Sequence, residues 1–161
     1  MIIRPFRETD GDALWRVIEP AIRAGETYAL PRDMTRAAAV DYWCGRSHET
    51  FVAEDGDGGI VGTYYMRPNQ KGGGAHVANC GYVTRPDAGG RGIARAMGEH
   101  SLNHAKARGF HAIQFNCVVS TNTRAVALWQ RLEFQIVGTL PGAFEHPRHG
   151  FVDAYIMYRH L

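Results

Sequence analysis

The chain has 161 residues, which is enough for one domain with a sizeable hydrophobic core. Its composition, 45% hydrophobic and 21% charged, is typical of a soluble globular protein. A net charge of +2, without a basic tail or a basic run interleaved with aromatic residues, argues against nucleic-acid binding. No apolar stretch is long enough to span a bilayer, so we expect no membrane partner.

The N-terminus and the cysteines favour a cytoplasmic location. The opening Met-Ile-Ile-Arg-Pro lacks the charged leader and apolar core of a signal peptide. Cys44, Cys80 and Cys117 are widely spaced without a Cys-x-x-Cys pair, which argues against a disulfide framework or a zinc site and for a reducing compartment. His146 and His149 imitate a metal-binding pair, but we expect no metal.

The first half of the chain begins with a strand and two helices. Apolar spacing predicts a strand over residues 2–6 and a helix that begins at Thr9 or Asp10. Pro20 lies inside the helical pattern, so we expect this helix to be kinked or split there. The other expected elements of this half are a loop over 25–31, a helix over 35–43, and a hairpin with strands over 50–54 and 60–67.

The second half contains the most informative turn. A strand over 76–83 leads into a glycine-rich turn and a helix that ends near Gly109. The remaining expected elements are a strand over 110–119, a helix from Asn122, and strands over 134–140 and 151–158 around a Pro-Gly-His loop. The order β-α-α-β-β-β-α-β-α-β-β predicts a mixed sheet with helices on its faces, in one domain over residues 1–161.

The turn Gly89-Gly90-Arg91-Gly92 separates an apolar strand from an amphipathic helix. This order places several backbone N–H groups at a helix N-terminus, which carries roughly half a positive charge and suits a phosphate or pyrophosphate. Glycine also leaves room for close approach by a ligand. A plain tight turn is the alternative interpretation.

Two motifs resemble the GNAT N-acetyltransferase superfamily, and the element order matches over essentially the whole chain. The family's acyl-CoA loop, Arg/Gln-x-x-Gly-x-Gly/Ala, corresponds to residues 89–94, GGRGIA. Its later helix, Asn-x-x-Ala-x-x-Leu-Tyr ending in Gly-Phe, corresponds to 122–129, NTRAVALW, ending in Glu133-Phe134. The resemblance implies an α/β (α+β) fold with a mainly antiparallel sheet of about seven strands, flanking helices and splayed central strands. It also implies an N-acetyltransferase that uses acetyl-CoA as cosubstrate.

By this resemblance, backbone amides of the turn cradle the CoA pyrophosphate, with added charge from Arg91 and Arg95. The strand before the turn holds the pantetheine arm and supplies an oxyanion-binding N–H near Tyr82-Val83. Gly81 is the expected position of the bulge at which the strands splay. The implied cofactor-binding residues are Tyr82, Val83, Thr84, Gly89, Gly90, Arg91, Gly92, Ile93, Ala94, Asn122 and Trp129.

The chain departs from the family pattern at three positions. Gly89 replaces the first Arg or Gln of the loop, which removes one side-chain contact to phosphate. Trp129 stands where many members carry a tyrosine that protonates the departing thiolate, and an indole is no general acid. Glu133 replaces the glycine before Phe134, which predicts a different helix ending.

No glutamate lies on the strand before the turn, where many relatives carry one, so the catalytic candidates are other polar residues. They are Asn79, Asn116, Glu26 and His76. The alternative for each asparagine is a hydrogen-bonded core amide, for His76 a plain strand histidine, and for Glu26 a solvated loop carboxylate. Asn122 is either a helix N-cap alone or also a CoA contact.

A narrower resemblance concerns the substrate. HVAN at 76–79, QFN at 114–116, TNT at 121–123 and GTLPGAF at 138–144 are similar to fungal acetyltransferases that detoxify proline analogues of the azetidine-carboxylate type. This implies direct transfer, in a ternary complex, to a small amine such as an amino or imino acid. Peptide or protein acetylation and a non-catalytic acyl-CoA-binding domain are the alternatives. Apolar residues such as Phe144 and Phe151 are expected to be exposed, which makes a homodimer plausible.

Overall fold

The computed structural model describes residues 1–161 and contains one seven-stranded sheet with four α-helices. The strands are β1 (Ile2–Pro5), β2 (Glu49–Glu54), β3 (Ile60–Pro68), β4 (Val77–Thr84), β5 (Ala112–Val119), β6 (Gln135–His146) and β7 (Gly150–His160). The helices are α1 (Gly11–Ala24), α2 (Arg36–Trp43), α3 (Ile93–Ala107) and α4 (Thr123–Arg131). The sheet order is β1-β2-β3-β4-β5-β7-β6, and every pair is antiparallel except β4–β5. This confirms the expected mixed, mainly antiparallel fold.

Hydrophobic residues cover both faces of the sheet. Alternate residues of a strand face opposite sides, and Tyr64 of β3 belongs to a different core cluster from its neighbour Tyr65. The Tyr65 cluster includes the apolar stripe of α1, whose Leu14, Val17 and Ile18 are fully buried. The Tyr64 cluster includes residues of α3 and α4. The sheet is therefore held between two helical layers. None of the helices combines the length and the hydropathy that crossing a bilayer requires.

The parallel pairing of β4 with β5 is very short. Only Val77↔Ala112 and Ala78↔Ile113 are in register, and the strands separate beyond them. The register of β5 with β7 also shifts between Phe115 and Val118. The central strands are splayed, as expected, but the irregularity lies in β5.

The prediction of a bulge at Gly81 is wrong. Gly81 pairs in regular register with Tyr65 of β3. A Cβ atom built at Gly81 would lie 2.6 Å from Tyr65 Cε1. Close approach of the tyrosine ring, rather than a bulge, is what requires glycine here.

The structure corrects two further expectations about local structure. α1 runs through Pro20 without a break, so the helix is not split there, and because this part of the helix is exposed, water can replace the hydrogen bond that proline lacks. The expected Pro-Gly-His loop is largely part of the last hairpin, since β6 continues past Pro141 with a register shift between Leu140 and Phe144. Phe144 is consequently buried (5% exposed), whereas Phe151 is 77% exposed as expected. The homodimer stays a prediction.

The end of α4 corrects the expectation for Glu133. Its φ of 63° is the only positive φ at a non-glycine residue. Glu133 N donates to the Gln130 carbonyl and Phe134 N to the Trp129 carbonyl, both at 2.9 Å, as in a left-handed helix ending. The ending that glycine normally supplies is therefore kept, with glutamate in a strained conformation. The Glu133 carboxylate lies 2.7 Å from Arg159.

We expect Glu133→Gly to raise the free energy of unfolding by up to about 1 kcal/mol, because glycine occupies the left-handed region without the strain of a side chain. The lost ion pair offsets part of this gain, since the Glu133 side chain is 77% exposed and pairs of this kind contribute roughly 0–1 kcal/mol. Glu133→Ala keeps the strain and loses the pair, so it should be no more stable than the parent. Denaturant unfolding measures all three proteins, and equal shifts for both substitutions would contradict the strain argument.

Candidate active site

The separation of β4 from β5 opens two adjoining cavities. The larger, which we call the groove, has a volume of about 1030 Å³ and lies along the end of β4, the glycine turn, α3 and α4. The smaller, which we call the pocket, has a volume of about 300 Å³ and lies between β4, β5 and the loop after α1. The residues that line both cavities are Thr27, Tyr28, Tyr82, Asn122, Ala125 and Trp129.

The glycine turn presents free backbone amides to the groove. Gly90 and Gly92 have φ values of 79° and 75°, a left-handed conformation that suits glycine, and Gly92 is the N-cap of α3. The first α3 amide bonded to a backbone carbonyl is that of Ala96, which donates to Gly92 at 3.0 Å. The N–H groups of residues 93–95 are therefore available to an anion at the positive end of the helix dipole.

Arginines make the groove positively charged. Its lining contains Arg85, Arg95, Arg124 and Arg131 and no acidic residue. Arg85 and Arg95 are paired with carboxylates, whereas Arg124 and Arg131 form no ion pair. A groove of this charge suits the phosphate groups of a nucleotide.

Arg91 is the exception among the predicted cofactor-binding residues. Its Nη1 lies 4.0 Å from Asp55 Oδ2, in the turn between β2 and β3, and the residue does not line the groove. The expected charge contribution of Arg91 is therefore not brought to the groove. The others all line it: Tyr82, Val83, Thr84, Gly89, Gly90, Gly92, Ile93, Ala94, Asn122 and Trp129.

The edge of β4 that faces β5 is unpaired from residue 79 onward. Backbone groups on this edge can hydrogen-bond to an extended ligand. Tyr28 donates its hydroxyl to the Tyr82 carbonyl at 2.9 Å, which ties the loop after α1 to this strand. Burial raises the pKa values of Tyr28 and Tyr82 well above the usual range, so both phenols stay protonated at neutral pH.

Asn79 and Asn116 are brought together at the pocket. Asn79 is buried, and its Nδ2 donates to the Gln114 carbonyl at 2.9 Å, where β4 and β5 begin to diverge. Its Oδ1 has no partner in the protein. Asn116 accepts a bond from Gln114 Nε2 and donates one to Asn69 Oδ1, both at 2.8 Å. The buried Asn79 amide is thus held in place by β5, whereas the Asn116 amide is exposed and bonds to its neighbours at the surface.

His76 and Glu26 are not brought to either cavity. His76 is exposed and precedes β4, and its carbonyl accepts a bond from the His111 amide at the paired end of the strands. The Glu26 carboxylate lies 2.9 Å from Arg148 in the turn between β6 and β7. No Asp, Glu or His lines the pocket, so no side chain there is an obvious general base.

Trp129 lies where the pocket meets the groove. It is 7% exposed, and its ring centroid lies 4.7 Å from that of Tyr82 and 4.8 Å from that of Phe115. Asn122, at the start of the same helix, accepts a bond from the Ala125 amide at 3.3 Å and is the N-cap as well as a lining residue. These contacts fix one side of the junction between the cavities.

Arg67 is a lining residue that sequence reasoning missed. It is the only charged residue of the pocket, and its Nε is buried without a hydrogen-bond partner. Seven consecutive residues before it, Ile60 to Met66, are buried. A charged residue directly after this buried run of the strand was the feature of the sequence that could have indicated a functional role. The sequence of the strand does not reveal which residues the side chain faces.

No cluster of three or more His, Cys, Asp or Glu side chains is arranged to hold a metal ion. The rings of His146 and His149 are neighbours, 4.5 Å apart, without a third ligand.

Comparison with known proteins identifies the family. Residues 15–134 match the model of the Acetyltransferase (GNAT) family. The chain belongs to the GNAT family. N-acetyltransferase aca1 of Schizosaccharomyces pombe is 32% identical over 156 residues, which cover 87% of this chain and 75% of that protein. This chain is therefore a GNAT N-acetyltransferase, and the predicted family and enzyme class are confirmed.

Solved structures agree with this assignment. A GCN5-related N-acetyltransferase from Kribbella flavida has a TM-score of 0.94 and 42% identity, over 99% of this chain and 97% of that one. A GNAT phosphinothricin acetyltransferase from Sinorhizobium meliloti, solved with acetyl-CoA, shares the fold with a TM-score of 0.87 and 19% identity, over 99% and 88% of the two chains. Acetyl-CoA is the cosubstrate, as predicted, and the groove has the amides and the charge to bind it.

We expect Gly92→Val to weaken acetyl-CoA binding by at least about tenfold, because a β-branched residue is strained at φ 75° and displaces the amides that follow. Arg91→Ala should change affinity by less than about threefold, since Arg91 faces Asp55. Calorimetric titration with acetyl-CoA measures both.

Gly109→Val is the matched control. Gly109 has φ 80° just past the other end of α3 and lines neither cavity. This variant should lose stability but keep its affinity. Equal losses of affinity in the Gly92 and Gly109 variants would contradict the assignment of the turn.

Proposed function

We propose that this enzyme acetylates a small amine, namely an amino or imino acid or an analogue, by direct transfer from acetyl-CoA in a ternary complex. The observation that carries the proposal is the small pocket that adjoins the groove through shared lining residues, among them Tyr82, Asn122 and Trp129. An amine in the pocket and a thioester in the groove would meet at this junction.

The size of the pocket favours a small acceptor. Its volume of about 300 Å³ lies at the lower end of the range for small-molecule sites. Tyr28 and Leu30, from the loop after α1, form part of its lining. Peptide acceptors need an open channel for extended chain, and the hydrogen bond of Tyr28 to β4 holds this loop across the site.

The thiols of the pocket do not favour a covalent acetyl-enzyme. Cys80 and Cys117 both line it. Burial raises the pKa of Cys80 to about 12, and the pKa of Cys117 is also raised. A thiol must lose its proton to become a nucleophile, so the acceptor amine itself is the better attacking group.

The residues at the junction would act by positioning. Acetyl-CoA supplies a thioester carbonyl for the amine to attack, and a free N–H on the edge of β4 is available to the oxygen that gains negative charge. The unpaired Oδ1 of Asn79 can accept an N–H of the amine and orient its lone pair. With no carboxylate or imidazole in the pocket, the amine would lose its proton to water, and the rate enhancement rests on proximity.

The direct test mixes the enzyme with acetyl-CoA and a panel of acceptors and measures release of the CoA thiol. The panel contains free amino acids, imino acids, simple alkylamines and a peptide with a free N-terminus. We expect the free amino or imino acids to exceed the peptide in kcat/KM by at least about a hundredfold, since a volume of about 300 Å³ suits a small acceptor better than a peptide chain. Tight acetyl-CoA binding without turnover of any free acid would refute the proposal.

A second prediction concerns Trp129. If its indole only packs between the pocket and the groove and transfers no proton, Trp129→Phe should have a kcat within about fivefold of the parent value. The pH profile of kcat should also be unchanged. Trp129→Ala should destabilise the fold by about 3–5 kcal/mol, because a buried ring is lost. A hundredfold fall in kcat for Trp129→Phe, with acetyl-CoA binding intact, would show that the indole takes part in the chemistry.

A further inference from the structure

The charge of the pocket is unbalanced. Arg67 is its only charged lining residue, and none of the other lining residues is acidic. Arg67 forms no ion pair, and its Nε is buried without a partner. The free protein therefore carries a guanidinium whose hydrogen-bonding capacity is not used by the protein.

Other partly buried arginines of this chain are paired. Arg4, with 17% of its side chain exposed, lies 2.7 Å from both Asp10 and Glu54. Arg159, with 20% exposed, lies 2.7 Å from Glu133. Arg67 is half-buried, so water reaches part of its guanidinium in the free protein, but its Nε is buried without a partner. A buried polar group without a partner is costly, and a ligand in the pocket would supply that partner.

The residues around Arg67 do not neutralise its positive charge. His48 lies close enough to Arg67 for the guanidinium to affect its ionisation. Burial, together with the Arg67 charge, lowers the pKa of His48, so this ring is neutral at neutral pH. Burial raises the pKa of Tyr65, which keeps its phenol neutral as well. The positive charge therefore acts on the pocket without a counter-ion from the protein.

The position of Arg67 defines one end of the pocket. Arg67 is the register partner of Asn79 across β3 and β4, so both side chains lie on the same face of the sheet. Asn79 and Arg67 line the pocket but not the groove. Along β4, Asn79 lies three residues before Tyr82, about 10 Å at the rise of a strand, whereas Tyr82 lines both cavities.

We propose that Arg67 binds the carboxylate of the acceptor, and that this contact selects amines that also carry a carboxylate. The inference rests on the proposed function and extends it with a specificity-determining residue. A guanidinium suits a carboxylate because its planar donors form two parallel hydrogen bonds. Asn79, beside it, holds a free Oδ1 for the amino group of the same molecule.

This contact also aids the transfer itself. In a free amino acid, the carboxylate stabilises the adjacent ammonium ion. Pairing of the carboxylate with Arg67 removes that stabilisation and lowers the pKa of the amine. The neutral amine that attacks the thioester is thereby favoured in a pocket that has no acid or histidine to act as base.

The test uses matched pairs of acid and amide: L-proline with L-prolinamide, and L-alanine with L-alaninamide. Binding of each to the CoA-loaded enzyme is measured by calorimetry, and acetyl transfer by thiol release. We expect the parent to bind at least one acid about 30-fold or more tightly than its amide. Arg67→Gln should remove this preference by weakening the acid alone, and Arg67→Lys should restore part of it.

The control variant is Arg16→Gln, which changes an exposed arginine of α1 outside both cavities and should bind both probes as the parent does. The melting temperature of Arg67→Gln should equal or exceed that of the parent, because no ion pair is lost. Equal weakening of acid and amide, together with a lower melting temperature, would assign Arg67 a structural role and overturn the proposal.

The two proposals fail in different ways. The absence of an acid-over-amide preference in the parent, or its persistence in Arg67→Gln, overturns the carboxylate contact even if small amines are acetylated. Conversely, Arg67-dependent binding of an acid without acetyl transfer supports the carboxylate contact and overturns the proposed acceptor class.

Discussion

The site depends on the separation of two parallel strands. β4 and β5 pair over only two residue positions, and Asn79 spans the point of divergence through its bond to the Gln114 carbonyl. Beyond this point the backbone edge of β4 has no strand partner, and an unpaired edge inside a sheet is costly unless something else bonds to it. Tyr28 supplies one such bond, and in our proposal the bound cosubstrate supplies others.

The two cavities created by this separation differ in how they recognise ligands. The groove offers backbone amides at a helix N-terminus and several arginines, which suits a phosphorylated cosubstrate. The pocket is largely apolar, with two asparagines and one guanidinium that has no ion-pair partner. The proposed phosphate site thus relies on local backbone geometry, whereas the proposed acceptor site relies on a few side chains from distant parts of the chain.

The pocket is lined by no carboxylate or histidine that could act as a general base. In our proposal, catalysis therefore relies on the positioning of the reactants and on the charge of Arg67. The phenols of Tyr28 and Tyr82 and the buried thiol of Cys80 stay protonated there, because burial raises their pKa values. The pocket therefore holds no anion that would compete with a substrate carboxylate for Arg67. Under our proposal, an acceptor for this site carries a carboxylate that pairs with Arg67 and an amine that becomes neutral before it reacts.

The sequence by itself determined the family, the cosubstrate, the order of the elements and the position of the glycine turn before a helix. These could be predicted because a strand, a glycine turn and a helix follow one another in the chain. The backbone amides at the start of the helix are therefore placed by local geometry alone. The tertiary structure alone decided which side chains share the pocket. It places His76 and Glu26 outside both cavities, Arg91 beside Asp55, and Arg67 in the lining of the pocket. The physical reason is that burial and the lack of a counter-ion depend on residues far apart in the chain, which spacing does not reveal.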